Sequence, residues 1–152
     1  MREKRKVYLA YGSNLNIQQM SHRCPDAIPW GALDLKDWKL TFWGGCGGAV
    51  ATIVPCEGCS VPVALWSITA SDEKNLDVYE GFPRLYRKEY ISLKWGGRYV
   101  KAMVYIMNRG KVNLPSRYYF NTILSGYRDF GIRTEPLYQA LREVQEFNLG
   151  KK

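Results

Sequence analysis

Apolar runs of strand length dominate the first two thirds of this chain. One alternating segment and several nearly continuous apolar runs are typical of β-strands, and they lie at 7–10, 38–42, 49–54 and 61–68. Two further strands, 86–95 and 98–107, are predicted to form a hairpin, because Gly96-Gly97 between them suits a tight turn. The segment Cys56-Glu57-Gly58-Cys59 predicts a second hairpin turn.

Apolar residues at helical spacing follow in the later part of the chain. Ser71-Asp72-Glu73 predicts a helix N-terminus with acidic residues in its first turn, and that helix is expected to stop near Gly81. Ser116 and Thr134 precede apolar stripes and predict the N-caps of two further helices. Strands that precede helices, with short connections, indicate an α+β fold with a mostly antiparallel, barrel-like sheet.

The length and composition narrow the class of protein. With 152 residues, of which 46% are hydrophobic, the chain is expected to form a single domain, 1–152, with a packed core. No stretch approaches the roughly 20 apolar residues of a membrane helix. The charged N-terminus lacks an apolar signal core, so a cytoplasmic location is expected. The four cysteines are therefore expected to be free thiols.

Basic residues at the two ends account for most of the net charge of +8. Residues 1–6 and 149–152 are predicted to be basic tails, and the rest of the chain carries only a mild positive excess. Such an excess favours a small anionic substrate through electrostatic steering. Nucleic acid is the less favoured partner, and no membrane partner is expected.

The turn after the first predicted strand is the segment most typical of a binding site. Tyr11-Gly12-Ser13-Asn14-Leu15 follows the apolar run directly, and Asn16 then suits the N-cap of a short helix. A strand, a glycine turn and a helix N-terminus direct several backbone N–H groups towards one point, which favours a carboxylate or an oxyanion. A purely geometric function of Gly12 and Asn14 in the turn is the alternative.

Few side chains offer catalytic chemistry. His22 is the only histidine and lies at a predicted helix end, so the sequence supports no Ser-His-Asp or Cys-His arrangement. Cys56 and Cys59 have the spacing of metal ligands, but no second pair completes a zinc site. Structural thiols are therefore favoured over zinc, and neither a metal nor a cofactor is expected.

Glu80 is the carboxylate whose surroundings differ from those of the others. It ends a predicted helix among aromatic and apolar neighbours, and both the negative helix end and apolar surroundings raise the pKa of a carboxyl. A glutamate with a pKa closer to neutrality suits general acid–base catalysis. A partly exposed residue at a helix end is the alternative. Tyr119 lies on an apolar helix stripe and is expected to face inward, where its hydroxyl needs a partner.

These motifs, in this order, resemble the gamma-glutamylcyclotransferase family. The resemblance rests on Tyr-Gly-Ser-Asn-Leu after the first strand, on Tyr79-Glu80-Gly81 and on Pro115-Ser116-x-x-Tyr119, and it spans most of the chain. It implies a small mixed, mostly antiparallel β-barrel with helices packed around it, and no cofactor. The complete Tyr-Gly-Ser-Asn motif is more similar to the branch that acts on amines and amino acids than to the glutathione-degrading branch.

The resemblance also implies a reaction and a set of site residues. A gamma-glutamyl amine or gamma-glutamyl amino acid would be converted to pyroglutamate and free amine, by attack of the alpha-amine on the substrate's own gamma-carbonyl. Glu80 would be the general acid/base, and the substrate would be bound by Tyr11, Gly12, Ser13, Asn14, Leu15, Tyr86 and Tyr119. Two alternatives stay open: a non-enzymatic module that binds anionic partners, and a related acyl transferase or hydrolase acting on gamma-glutamyl amides.

Overall fold

The computed structural model of the protein describes residues 4–150, which form an α+β fold. In this range the strands are β1 (Lys6–Ala10), β2 (Ile28–Trp43), β3 (Val50–Ile68), β4 (Tyr86–Trp95) and β5 (Arg98–Met107). The α-helices are α1 (Ile17–Arg23), α2 (Ala70–Glu80), α3 (Arg117–Asp129) and α4 (Glu135–Leu149), and a 3-10 turn, Ser13–Leu15, precedes α1. None of the helices in this range is long and apolar enough to cross a membrane.

The strands form one mixed sheet in the order β2-β3-β1-β5-β4. Its pairs are antiparallel except β1 with β5, so the prediction of a mixed, mostly antiparallel sheet is confirmed. The prediction of a barrel is wrong, because β2 and β4 lie at opposite edges and are not paired with each other. The edges still approach one another at one point, where the ring of Trp95 stacks on that of Trp30 with centroids 6.3 Å apart. The sheet is curved but open.

The long ribbon of β2 and β3 contains a bulge where a hairpin was expected. Lys36 pairs with Ser60 and Trp38 with Pro55, so the four residues 56–59 lie opposite Asp37 alone. The Gly58 amide donates to the Asp37 carboxylate at 3.1 Å, and both residues have positive φ. Positive φ angles occur both in bulges and in hairpin turns. The glycine and its polar neighbours therefore do not show, from the sequence alone, which of these two structures forms.

The prediction of four free thiols is also wrong, because Cys56 and Cys59 are joined by a disulfide within this bulge. Cys24, which is buried, and Cys46, which is exposed, are free. No three His, Cys, Asp or Glu side chains of residues 4–150 lie close enough together to hold a metal ion.

Of the four predicted helix N-caps, two form the expected side-chain hydrogen bond, whereas Thr134 is the N-cap of α4 by position but makes no capping hydrogen bond. Asn16 caps α1 by accepting from the Gln19 amide at 3.0 Å, and Ser116 caps α3, as predicted. The N-cap of α2 is Thr69 rather than Ser71, because the side chains and amides of Thr69 and Asp72 form a reciprocal capping box. Thr69 directly follows the apolar run of β3, so the sequence pattern favoured Ser71 as the N-cap.

The predicted tails are partly wrong, since three of their residues belong to the folded structure. Lys6 begins β1 and pairs with Glu73 at 2.9 Å, and Arg5 donates to the carbonyl oxygens of Asp26 and Ser67. Leu149 is the last residue of α4. Residues 1–3 and 151–152 of the predicted tails lie outside the described residues.

Strand β1 is buried on both faces and so determines how the helices are arranged. Successive side chains of a strand point to opposite faces, and Leu9 belongs to the core cluster that contains α3 and α4. Tyr8 and Ala10 belong to a second cluster, which contains Met20 of α1 and Leu76 of α2. Because one strand end is covered by helices on both sides, the turn that follows β1 lies where all of these layers meet.

A close contact between α3 and the turn after β1 gives a test of this packing. A Cβ added at Gly126 would lie 2.6 Å from the carbonyl carbon of Leu15 and 2.7 Å from the amide nitrogen of Asn16. Gly126→Ala is therefore expected to lower the free energy of unfolding by about 1–3 kcal/mol, the scale of overpacking, as measured by urea denaturation. Gly45→Ala is the control: nothing lies within 4 Å of its added Cβ, and we expect a change within about 0.5 kcal/mol. Equal stability of the two variants would contradict the contact.

Candidate active site

A cavity of about 250 Å³ opens where β1 ends, between the turn, α2 and α3. Its wall contains all but one of the residues that the sequence predicted for the site, namely Tyr11, Gly12, Ser13, Asn14, Glu80, Tyr86 and Tyr119. Leu15 is the exception: it is completely buried in the core cluster and does not line the cavity. The fold thus brings one turn and three distant segments of the chain to a single site.

The turn presents backbone donors that the protein itself does not use. The amides of Leu15 and Asn16 donate to the carbonyl oxygens of Gly12 and Ser13, at 2.9 and 3.0 Å. The amides of Gly12, Ser13 and Asn14 donate to no acceptor within residues 4–150. Since these three residues are buried and line the cavity, their N–H groups are suited to bind an anionic or carbonyl oxygen there.

Gly12 lies close to its neighbours in this turn. A Cβ added at this position would lie 3.1 Å from the Cβ of Ala51 and 3.5 Å from the Tyr119 hydroxyl oxygen. The first of these contacts is tight, so a side chain here would require its neighbours to shift by a few tenths of an ångström. The absence of a side chain lets the backbone itself form the binding surface.

Glu80 is the last residue of α2, and its carboxyl group enters the cavity without a protein partner. The side chain makes no hydrogen bond or ion pair with any residue in the described range 4–150. Burial raises the pKa of this carboxyl from its ordinary value of 4.5 to about 7, and the positive charge of Arg23 opposes that rise. Glu80 therefore exchanges a proton near neutral pH, as a general acid or base requires.

Tyr86 and Tyr119 bind the same backbone segment from two sides. The Tyr86 hydroxyl donates to the carbonyl oxygen of Ala51 at 2.9 Å, and the Tyr119 hydroxyl accepts from the amide of Ala51 at 3.0 Å. Burial raises the pKa of both hydroxyls above the ordinary value for tyrosine, so both stay neutral. These contacts hold β3 against the cavity and place the two rings in its wall.

Six cavity residues were missed from the sequence, and three of them are tyrosines. Tyr8 and Tyr105 stand in the middle of apolar strands, and Tyr79 directly precedes Glu80. A hydroxyl that interrupts an apolar strand was the available signal, since a buried tyrosine needs a polar partner. With eleven tyrosines in the chain, that signal could not separate the cavity from the core.

Charged and polar contacts hold α2 against the sheet next to the cavity. Asp77 accepts a hydrogen bond from the Tyr105 hydroxyl at 2.6 Å and pairs with Lys88 at 2.9 Å. Lys88 also pairs with Glu73, one turn earlier on α2, at 2.6 Å. Because Glu80 lies at the end of the same helix, these contacts determine where its carboxyl group is placed.

The α+β fold thus contains a small cavity with free backbone donors and one carboxyl of raised pKa, a set of groups suited to acid–base chemistry. Residues 8–123 match the family model described as gamma-glutamyl cyclotransferase, AIG2-like, which covers more than half of the chain. The chain belongs to this family, as its sequence motifs predicted, and it is an enzyme of the cyclotransferase type.

Named relatives and solved structures agree with this membership. The chain is 28% identical to gamma-glutamylcyclotransferase of Bos taurus over 138 residues, which are 85% of this chain and 73% of the relative. It is also 28% identical to the Homo sapiens protein of that name, over 88% of this chain and 76% of the relative. A solved gamma-glutamyl cyclotransferase structure superposes with a TM-score of 0.81 at 25% identity, covering 90% of this chain and 86% of the other.

The raised pKa of Glu80 predicts that the stability difference between wild type and Glu80→Gln depends on pH. Below about pH 4.5 the carboxyl is protonated in the folded and the unfolded chain, so it adds no pH dependence there. Between 4.5 and about 7 the folded state binds more protons, so wild-type stability falls as the pH rises. Glu80→Gln is therefore expected to be more stable than wild type at pH 8, by at most about 3 kcal/mol, and to lose that advantage at pH 5. Urea denaturation at both pH values measures it, and an equal difference at both would contradict the burial of this carboxyl.

Proposed function

We propose that the protein converts a gamma-glutamyl amine or gamma-glutamyl amino acid to pyroglutamate and the free amine or amino acid, with Glu80 as general acid/base. The observation that carries the proposal is the joint presence, in one cavity, of the unpartnered Glu80 carboxyl and the free amides of Gly12, Ser13 and Asn14. Membership of the cyclotransferase family and the relatives named gamma-glutamylcyclotransferase support the same reaction.

The first step is a proton transfer that creates the nucleophile. Glu80, as carboxylate, accepts a proton from the alpha-ammonium group of the gamma-glutamyl moiety. The freed amine then attacks the gamma-carbonyl carbon of the same molecule and closes a five-membered ring. Attack within one molecule needs only the correct conformer, and well-oriented reactions of this kind reach effective molarities of about 10⁵ M or more.

The second step is stabilisation of the charge on the gamma-carbonyl oxygen. The amides of the turn 12–14 are suited to donate to this oxyanion, because their positions are already determined by the strand before them and the helix after them. Loss of one such donor typically costs about 3 kcal/mol of transition-state stabilisation. Glu80 then returns its proton to the leaving nitrogen as the carbon–nitrogen bond breaks. The second proton of the ring nitrogen passes through the same carboxylate to the released amine, which leaves as an ammonium, so the enzyme ends in its starting state.

The tyrosines have a different function in this proposal. Tyr11, Tyr86 and Tyr119 use their hydroxyls on backbone groups, so their rings bound the cavity and limit the conformers that a substrate can adopt. The placement of Leu15 in the core leaves it outside the proposed substrate contacts.

The alternative, a transferase or hydrolase acting on gamma-glutamyl amides, differs from the proposed enzyme in its product. That product would be a new amide or free glutamate rather than pyroglutamate.

Substitution of the proposed acid/base gives the direct test. Glu80→Gln keeps the shape of the side chain but cannot exchange a proton, so we expect turnover to fall by at least about 10²-fold, the usual scale of acid–base catalysis. The measurement is pyroglutamate release, by mass detection, from a panel of gamma-glutamyl amines and dipeptides. Glu57→Gln is the matched control, because Glu57 is exposed at the bulge and does not line the cavity. Near-wild-type turnover of Glu80→Gln would remove Glu80 from the reaction.

The pH dependence of the wild-type enzyme gives a second test. Because Glu80 must be a carboxylate to accept the first proton, kcat/KM is expected to fall on the acidic side with an apparent pKa of about 7. Activity should therefore rise between pH 5 and pH 8 on a substrate whose own charge is constant over that range. If kcat/KM stayed constant across this range, Glu80 could not be the base that accepts the first proton.

A further inference from the structure

Three side chains from α1, the turn and β1 form a hydrogen-bonded chain that ends at the cavity. Nη1 of Arg23 donates to Oδ1 of Asn14 at 2.6 Å, and Nδ2 of Asn14 donates to the Tyr8 hydroxyl oxygen at 2.9 Å. Asn14 and Tyr8 are each only 4% exposed, and both line the cavity together with Glu80. Arg23 is partly buried and stands behind them, outside the cavity wall.

The direction of this chain follows from the chemistry of its first member. A guanidinium group has only N–H donors and no acceptor, so Asn14 must present its carbonyl oxygen to Arg23. The amide NH2 of Asn14 therefore points to Tyr8, whose hydroxyl oxygen accepts from it. The Tyr8 hydroxyl proton has no acceptor among residues 4–150, which leaves it free for a molecule in the cavity.

Arg23 is itself held in place by contacts with two helices. Its Nη2 donates to the side-chain oxygen of Gln19, one turn earlier on α1, and its Cζ lies 3.6 Å from the centroid of the Tyr79 ring on α2. Tyr79 in turn shares a hydrogen bond of 2.9 Å with Ser13 in the turn. A guanidinium placed over an aromatic ring with two of its donors occupied has little freedom to turn away.

We propose that Arg23 is a positioning residue which, through Asn14, makes the Tyr8 hydroxyl a hydrogen-bond donor into the cavity. The inference rests on the proposed function: in that reaction the donor would bind an oxygen of the gamma-glutamyl group and add one side-chain donor to the amides of the turn. Burial raises the pKa of Tyr8 well above its ordinary value, so its proton is retained at any pH at which the enzyme works.

The charge of Arg23 has a second consequence, because it lowers the pKa of Glu80. The other groups that face Glu80 from the elements around it are neutral tyrosines, whose pKa values burial raises: Tyr8 and Tyr11 from β1, Tyr86 from β4, Tyr105 from β5 and Tyr119 from α3. Tyr79 adjoins Glu80 on α2, and Asp77, one turn earlier, is held by Lys88 and Tyr105. Removal of the Arg23 charge should therefore raise the pKa of Glu80.

The first part of the test redirects or removes the Tyr8 hydroxyl proton, the donor at the cavity end of the chain. Asn14→Asp keeps an acceptor for Arg23 but offers only oxygen atoms to Tyr8, so the Tyr8 proton turns away from the cavity. Tyr8→Phe removes that proton altogether. Both variants are expected to lose at least about 10-fold in kcat/KM, measured above the acidic limb, where Glu80 is ionised. Wild-type kcat/KM in Tyr8→Phe would overturn the inference.

The second part tests Arg23 with a pH profile and a double variant. Arg23→Met should lose a similar factor and shift the acidic limb of kcat/KM to higher pH, whereas Arg23→Lys, which keeps the charge and a donor, should restore the position of the limb. Tyr8→Phe combined with Arg23→Met should lose little more than Tyr8→Phe alone above the limb, because both changes remove the same donor. Additive losses, or an Arg23→Met profile that superimposes on wild type, would overturn the inference.

An NMR titration separates this inference from the proposed function. The Glu80 carboxyl signal, assigned by its absence in Glu80→Gln, reports the pKa of Glu80 without any substrate. A higher pKa in Arg23→Met than in wild type supports the coupling even if no substrate in the panel releases pyroglutamate, an outcome that would refute only the proposed reaction. An unchanged pKa would count against the coupling, whatever the activity. Arg23→Lys provides the folded comparison if Arg23→Met does not fold.

Discussion

The site depends on holding one carboxyl group in a place where the protein gives it no partner. Glu80 is half-buried and its carboxyl opens to the cavity, where reduced contact with water still disfavours the charged form, since a polar group removed from water without a hydrogen bond is costly. The fold must therefore stabilise α2 elsewhere, and it does so with the Thr69–Asp72 capping box at one end and the Asp77–Lys88 ion pair along its length. Glu80 lies at the far end of this helix, just before Gly81 ends it. The stability of α2 comes from its other contacts, and Glu80 is left free for chemistry.

The polar groups around the cavity divide into those that build it and those that remain unused. The hydroxyls of Tyr11, Tyr86 and Tyr119 all bind backbone groups, and two of them hold the same residue of β3. The turn amides, the Tyr8 proton and the Glu80 carboxyl have no partner within the described chain. In a tightly packed interior, unused donors and acceptors are exceptions that need a reason. Two other buried polar atoms without a partner in the described chain, Nε1 of Trp66 and the Tyr127 hydroxyl oxygen, lie outside the cavity. The groups named above share one small space, which is the physical basis for regarding it as a candidate active site.

Features that depend on a few neighbouring residues could be predicted from the sequence, and features that depend on distant contacts could not. The hairpin at Gly96-Gly97, the Asn16 and Ser116 caps and the end of α2 are local, and all were confirmed. Whether a curved sheet closes depends on the meeting of β2 and β4, which are far apart in the chain. Glu80 and the turn after β1 carry local signals, whereas Tyr8 and Arg23 are brought beside Asn14 only by the sheet and α1.

The arrangement of charge in the cavity suits a zwitterionic substrate in the proposed reaction. A gamma-glutamyl group carries an alpha-ammonium and an alpha-carboxylate on the same carbon, next to the chain that ends in the reacting carbonyl. The cavity offers one potential negative charge, on Glu80, and neutral donors from the turn and Tyr8. The ammonium is attracted to Glu80, and the substrate oxygens are left to the neutral donors, so the nucleophile and its base are brought together by binding. A fixed cation inside the cavity would have lowered the pKa of Glu80 further and weakened it as a base. Placing Arg23 behind Asn14 provides a directed hydrogen bond with a weaker effect on that pKa.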